Sequence, residues 1–494
     1  MNLRRPLLPA LVAVIVLSRA CLLAQDAAPV APAPELSLEQ CVARALARNF
    51  DLEIQRFSPQ IAKDAIDVAR DGFQPVVTVS TSVGGSHDAA TNLSPAFDTT
   101  DRGTRVGVSQ NLYTGTALSV SSQLNRTRID PSLPSTLNPA YNADVTLSVR
   151  QQLLKGFGTS VNRAGVNRAR LGLSRANLDL KTQALTVIRS TEGAYYDVVF
   201  TREQLEVRKF TLTLAERLYD ESKTRRQTGV ATDLDVLTGE VGVANARRGV
   251  LLAEQAVRDS EQNLLALIGQ FELDAPLGTM RFTDVDSATP VFASSFNLAK
   301  MSQPDYLSAQ FGVEQAKLDV KVAKDSARPD LSVGAAVGLN GQRSTAGGAL
   351  GNAIDRDSNS WQLDLSLSYP WGQVGNKARF RQSVAVLNQQ ESRLRQQEQN
   401  IELQVRSAIR AVETNVESVK IAHQARTLSD RQYVLEKERF NAGLSTSYRV
   451  LQAQNDLENA RVAELQSNVS LHNSLSALRR IEGSSLQRYG VVLP

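Results

Sequence analysis

The sequence predicts a mainly α-helical protein with a membrane β-barrel. Long antiparallel coiled-coil helices, two internal repeats and a barrel shared between chains make up this fold class. Three observations lead to it. Two proline-free stretches of about 67 residues each have a helical composition. Short runs of alternating apolar and polar residues precede each stretch and are typical of strands. The second half of the chain repeats the first at an offset of 214 residues.

Composition argues against several functional classes. The 494 residues carry 55 Lys and Arg against 51 Asp and Glu, which does not favour a nucleic-acid-binding surface. No G-x-S-x-G, Walker, H-E-x-x-H or C-x-x-C motif is found, so we predict no enzyme, no metal site and no cofactor. The histidines lie far apart in the sequence and are expected at the surface: His87, His423 and His472.

The N-terminus is predicted to direct export. Residues 1–24 have a basic start, an apolar core of about 11 residues and a plausible cleavage site, as a secretory signal has. A membrane anchor is the alternative, but the apolar core is too short to span a bilayer. Cleavage leaves Cys41 as the single cysteine, unless Cys21 is retained as a lipidated first residue. Residues 25–36 form a Pro/Ala linker.

Repeat 1 is predicted over residues 37–269. Its first helix begins with a capping box at Ser37 and ends near Gly72. The elements after it are strands within 74–152, a long helix over 160–226 and a helix over 232–268. Residues 270–296 contain prolines and mixed composition and are predicted to be an equatorial connector.

Repeat 2 is predicted over residues 297–483 and is followed by a C-terminal tail, 484–494. Its elements are a helix that ends before Pro329, strands within 330–370, a long helix over 376–441 and a helix over 447–481. A Gly/Ser/Asn-rich loop is expected between its two strands. Gly443 matches Gly229 at the common offset, so both long helices end in equivalent turns.

The alternating strands indicate insertion in a membrane. In strand 361–369 the apolar face begins with Trp361 and ends with Tyr369, about 26 Å apart, which is close to the apolar band between two aromatic girdles. A soluble sheet with one buried face has the same alternation of apolar and polar residues. The predicted export and the long helices favour the interpretation that the strands are inserted in a membrane. Each repeat contains two strands that correspond to two strands of the other repeat, which gives four per chain. Because four strands cannot close a barrel, several chains must contribute strands to it. Whether the extra hairpin 103–126 of repeat 1 joins this barrel stays open.

The long helices are expected to form a rod about 100 Å long. One narrow apolar seam predicts coiled-coil packing: Ile401, Val405, Ala408, Val412, Val416 and Val419. Polar residues cover the remaining faces, which suits helices that are wetted on two sides, as in the wall of a tube.

The turns at Gly229 and Gly443 are followed by polar residues. Thr232 and Asp233 are well placed to cap the next helix. The other interpretation is a charged constriction at the open end of a tube, where rings from symmetric chains select or gate solutes. The two interpretations are compatible.

Together these features resemble the TolC-type outer-membrane efflux proteins. The resemblance is carried by the signal segment, the repeat, the start LSLEQCVARALARN at 36–49, and the tips Gln227-Thr-Gly229 and Asn441-Ala-Gly443. It implies a homotrimer with a 12-stranded barrel in the outer membrane and a helical tunnel in the periplasm. It also implies that the chain works with a periplasmic adaptor protein and an inner-membrane RND or ABC pump.

The resemblance carries over to the tips only in part. Asp235 falls where the first-repeat tip of the family often has the Asp of an entrance-closing network. Phe440 falls where some members have a Tyr in that network, so a hydrogen bond is missing here. Arg449 and Gln452 occupy positions that are acidic in some members. The resemblance thus makes Asp233, Asp235, Phe440, Arg449 and Gln452 entrance candidates, with Gly229 and Gly443 as adaptor-docking tips.

Two functions are compatible with these observations. The first is a passive exit duct of a tripartite efflux or type I secretion system, driven by an inner-membrane pump. The second is an exported coiled-coil structural or adhesion protein of the cell envelope. The strands discriminate between them, because a duct requires them to be inserted in the membrane.

Overall fold

A computed structural model describes residues 35–91, 95–132, 137–269, 271–273, 275–283, 290–355 and 358–491. The predicted signal segment and Cys21 lie outside the described residues. Within these ranges the chain is mostly helical and contains one six-stranded antiparallel sheet. None of the helices in these ranges is both long enough and apolar enough to cross a membrane.

The first half begins with a helix that is broken once. The elements in order are α1 (Leu38–Arg48), α2 (Phe50–Asp71), β1 (Val76–Asp88), β2 (Phe97–Asn111), β3 (Thr116–Asp130), β4 (Ala140–Gln152), α3 (Thr159–Asn162), α4 (Ala164–Gln227) and α5 (Asp233–Ile268). The prediction of one continuous first helix was wrong at Asn49. Asn49 has an extended backbone, and its side chain accepts hydrogen bonds from the N–H groups of Asp51 and Leu52, which starts a new helix.

The second half follows the same order with two fewer strands. Its elements are α6 (Phe292–Ser302), α7 (Pro304–Ser326), β5 (Asp330–Arg343), α8 (Ala346–Ile354), β6 (Ser358–Ser368), α9 (Val374–Asn441), α10 (Ser447–Glu482) and α11 (Ser485–Arg488). A new helix starts at Pro304, which lacks the N–H that a continuing helix needs. The expected loop between the strands contains α8, whose N-terminus is capped by Thr345.

The long helices pack in pairs. α4 lies along α5 and α2, α9 lies along α10 and α7, and α10 also contacts α4. The predicted seam on α9 is confirmed, because Ile401, Val405 and Val412 are buried in one cluster with partly buried Ala408, Val416 and Val419. Burial is thus confined to stripes along helices whose other faces are polar.

The sheet has the strand order β1-β2-β3-β4-β5-β6 with every neighbour antiparallel. Hairpin 103–126 therefore lies inside the sheet, between β1 and β4. α8 covers one end of the sheet and packs on β5 and β4. Only glycine fits at Gly341, because a Cβ there would lie 2.1 Å from the carbonyl oxygen of Ala349.

One of the three histidines is not at the surface. His423 and His87 are exposed, and the Nδ1 of each lies 2.7 and 2.6 Å from a carboxylate oxygen of Glu464 and Asp98, respectively. His472 is 7% exposed, so its predicted surface position was wrong. Its ring stacks on Tyr196 with 4.2 Å between centroids, because α10 crosses α4 at this level.

Candidate channel entrance and membrane-facing sheet

The two long hairpins of helices end in turns of the same geometry. Gly229 and Gly443 have φ values of +77° and +76°. Each glycine N–H donates to the carbonyl three residues back, at 3.0 Å in both turns. This left-handed conformation is strained for any residue with a Cβ. No heavy atom lies within 4 Å of a Cβ built on either glycine, so both turns face open space.

The first turn leads into a fully capped helix. Thr232 Oγ1 accepts the N–H of Asp235 at 3.3 Å, and the Asp235 carboxylate accepts the N–H of Thr232 at 3.0 Å. The Thr232 hydroxyl also donates to Asp235 Oδ2 at 2.6 Å. This bond, together with the one from the Thr232 N–H, holds the pKa of Asp235 below its ordinary value. Asp233 is exposed and pairs with Arg226 of α4. The geometry thus gives Asp235 a capping role.

The second turn lacks this cap. At the predicted offset of 214 residues, Arg449 matches Asp235, and arginine has no acceptor atom on its side chain. Thr446, which precedes α10, makes no side-chain capping hydrogen bond. Arg449 and Gln452 are both exposed. The two tips therefore have equal backbone geometry and unequal side-chain anchoring.

Two contacts tie one tip to the other. Ser447 Oγ, at the start of α10, donates to Asp235 Oδ1 at 2.8 Å. Arg225 Nη1, in the last turn of α4, donates to the backbone carbonyl of Phe440 at 2.8 Å. The Arg225 guanidinium also lies 4.1 Å from the centre of the Phe440 ring, a cation–π contact.

The structure brings only some of the predicted entrance residues into contact across the two tips. Asp235 and Phe440 both join the first tip to the second, whereas Arg449 and Gln452 take no part in these contacts. Phe440 has no hydroxyl group, but it is buried and contributes its carbonyl and its ring instead. Sequence reasoning missed Arg225, whose position in the last turn of α4 suits a group that binds carbonyls.

Apolar side chains are exposed around both turns and were not predicted. Each is more than half exposed: Val230, Leu234, Leu237, Leu444 and Tyr448. Exposed apolar residues that cluster at one place are typical of protein contact surfaces.

At the other end of the helices, the sheet exposes apolar side chains. On β6, Trp361, Leu363, Leu365 and Leu367 point to one face and are 66–79% exposed. The alternate residues Gln362, Asp364 and Ser366 point to the opposite face. On that polar face Arg150 pairs with Asp364 at 3.8 Å across Gly334.

Aromatic residues lie where the strands meet the helices. Tyr369 directly follows β6 and is half exposed, and Trp371 is 96% exposed. Phe73, two residues after α2, contacts Tyr113 in a tilted arrangement with 4.3 Å between ring centroids. Trp361 and Tyr369 are the predicted interface aromatics; Trp371 was not predicted, because it lies beyond the end of the alternating strand pattern. Such a belt is typical of a membrane interface.

The described residues contain no group of three or more His, Cys, Asp or Glu side chains placed to hold a metal ion. Cys41 is buried in the core around α1, and burial raises the pKa of its thiol to about 12. A thiol in this state is not a reactive nucleophile.

Comparisons with known proteins agree with this arrangement. The pyoverdine export outer membrane protein OpmQ of Pseudomonas putida is 24% identical over 363 residues, covering 70% of this chain and 73% of its own. The outer membrane efflux protein BepC of Brucella suis is 22% identical and covers 91% of this chain and 87% of its own.

Solved structures share the fold. The outer-membrane channel OprN superposes with a TM-score of 0.70 at 18% identity, covering 91% of this chain and 90% of its own. The CmeC outer membrane channel of Campylobacter jejuni gives a TM-score of 0.66 at 16% identity, covering 90% and 85%. The sequence profile for outer membrane efflux proteins matches residues 41–270 and 296–484. This chain therefore belongs to the outer membrane efflux protein family.

Proposed function

We propose that this chain is a passive exit duct of the outer membrane that works as a homotrimer with a periplasmic adaptor and an inner-membrane RND or ABC pump. The observation that carries the proposal is a sheet with an exposed apolar face joined directly to helices of 64 and 68 residues. A sheet can be inserted in lipid only as a closed barrel, because its backbone groups must all be paired. The helices are about 100 Å long, which is enough to extend well into the periplasm. Export functions named for relatives such as OpmQ support this duct role.

The surface of the single chain supports assembly. It exposes 31283 Å², whereas a compact monomer of 53.7 kDa exposes about 18,000 Å². β1 and β6 are the outer strands of the sheet, and within the part of the chain that the structure describes each has one edge without a partner strand. Pairing β6 of one copy with β1 of the next closes a barrel without leaving edges in lipid.

The two-repeat organisation supports a tube of equivalent helical hairpins. Both halves place helices, strands, one very long helix and one shorter helix in the same order. The paired tips then form the periplasmic mouth, with Gly229 and Gly443 as adaptor-docking points and Asp235 as the entrance carboxylate. The exposed Leu234 and Leu444 supply apolar contact area there. An exported adhesion protein would not need an apolar sheet face, long helical hairpins and exposed apolar tips in the same chain.

Reconstitution tests the proposal. Protein extracted from outer membranes in detergent would be sized by light scattering and then added to planar lipid bilayers. We expect a mass of three chains and stepwise ion currents. A folded monomer, or trimers that give no current at any voltage, would contradict the duct.

A further inference from the structure

Among the described elements, the hairpin formed by β2 and β3 is the part of the first half that has no counterpart in the second. We propose that this hairpin is part of the membrane wall, so that each chain supplies six strands to the barrel rather than the four that the family resemblance implies. The inference rests on the proposed function, because it concerns the barrel of that duct.

The pairing places the two strands of the hairpin between β1 and β4 in the sheet. β2 pairs with β1 along the whole of β1, and β3 pairs with β4 from Thr116↔Gln151 to Thr127↔Ala140. β1 and β4 do not pair with each other. If the hairpin left the bilayer, the facing edges of β1 and β4 would carry unpaired backbone groups in lipid, which is strongly unfavourable.

The apolar face of the sheet continues across the hairpin. One row of paired residues contains an apolar side chain from every strand, and each is 41–79% exposed: Val77, Val108, Val120, Leu147, Val337 and Trp361. The next row points to the other face and is small or polar throughout: Thr78, Gly107, Ser121, Thr146, Gly338 and Ser360. A hairpin in water would not need to keep one face apolar in register with the membrane strands.

The turn of the hairpin is fixed at the helix side of the sheet. The N–H of Gly158 donates to the carbonyl of Thr114 at 3.1 Å, and the N–H of Gln152 donates to that of Gly115 at 3.2 Å. A Cβ at Gly115 would lie 2.2 Å from the carbonyl oxygen of Gly156. The hairpin thus starts at the same level as the other strands, beside the aromatic residue Tyr113.

Polarity changes along the hairpin as a bilayer requires. Val108 and Val120 lie near the turn, in the half next to the helices. The far half carries charges on both strands: Asp98, Asp101, Arg102, Arg126, Arg128 and Asp130. The apolar band therefore ends part of the way up the hairpin, as it does on a strand that leaves the membrane.

A trimer built this way has eighteen strands. With strands about 4.8 Å apart and tilted by about 40°, the backbone diameter is about 36 Å, against about 24 Å for twelve strands. The polar face, on which Arg105 Nε donates to Gln123 at 2.8 Å, then lines a wider lumen. Bulky solutes would be limited at the helical tips rather than in the barrel.

Fluorescence quenching by lipid tests the inference. Single cysteines would replace Val120 on the apolar face of β3, Ser121 on its polar face, and Leu365 on β6. Each would be labelled with an environment-sensitive dye, and trimers would be placed in phosphatidylcholine vesicles with and without nitroxide-labelled acyl chains. The parent protein is the blank, because its Cys41 is buried.

We expect the probe of Val120→Cys to be quenched by lipid within about twofold of Leu365→Cys, and that of Ser121→Cys to be quenched several-fold less. If Leu365→Cys is quenched and Val120→Cys is not, the hairpin lies outside the membrane and the six-strand wall is wrong, while the duct stands. If neither is quenched, the sheet is not inserted and the proposed function itself fails.

Discussion

His472 is expected to make the stability of the helical part depend on pH. Its ring is buried against Tyr196 in the core where α10 meets α4. Burial, together with the nearby Arg479 and Arg488, lowers the pKa of His472 from 6.5 to about 4. The folded protein therefore holds this imidazole neutral at pH values where an exposed histidine is charged.

The sign and size follow from the two pKa values. Below pH 6.5 the unfolded chain binds a proton at His472 that the folded chain does not bind until about pH 4. The stability is fully present above pH 6.5 and falls by about 1.4 kcal/mol per pH unit below it. At pH 5.0 the loss amounts to about 2 kcal/mol, and near pH 4 to about 3 kcal/mol.

Urea unfolding of the detergent-solubilised protein, followed by helical circular dichroism, measures this effect at pH 7.5 and 5.0. His472→Phe keeps an aromatic ring against Tyr196 and removes the titrating group. The wild type should lose about 2 kcal/mol more than this variant between the two pH values. Leu428→Phe is the control, because Leu428 is exposed on α9 and carries no titrating group, so this variant should keep the pH dependence of the wild type. An equal pH dependence in the wild type and His472→Phe would refute the reasoning, since other titrating groups such as Asp197 cancel in the comparison.

Two further predictions concern the tips. Gly443→Trp should abolish export in cells while trimers remain intact on native gels, because the space around the turn leaves room for the ring. Gly443→Ala carries the same left-handed backbone strain without the bulk and should export normally. Export by both variants would contradict docking at the tip. Asp235→Asn should lower the cation selectivity of single channels at low salt, where screening is weakest. The same change should cost about 1 kcal/mol of stability through the weakened cap, and unchanged selectivity would leave Asp235 with the capping role alone.

Local patterns predicted the helices well. α4, α5, α9 and α10 follow stretches whose boundaries are set by glycine and by the absence of proline. The break at Asn49 was missed because the apolar stripe that begins at Cys41 and Ala45 continues past it to Leu52, although asparagine favours helix caps over helix interiors. α8 was missed because its three glycines, Gly347, Gly348 and Gly351, weaken the helical signal of the segment. The helix packs on β5 and β4.

Long-range contacts at the candidate site could not be read from the sequence. Asp235 and Ser447 are 212 positions apart, and Arg225 and Phe440 are 215 apart. The predicted offset of 214 residues matches positions of one half with positions of the other, but it does not show which side chains touch across the two tips. The burial of His472 likewise depends on how α10 crosses α4 and not on its neighbours in sequence.

The order of the strands has a consequence for the sequence of folding events. Partners across β1 to β4 are at most 35 positions apart, so these four strands can pair through short loops as soon as residue 152 is available. Partners across β4 and β5 are separated by at least 180 positions, with α3 to α7 between them. Closing so long a loop costs more chain entropy and is slower. We therefore expect β1 to β4 to form a four-stranded meander first. β5 pairs with the free edge of β4 only later, after the helices of the first half have packed.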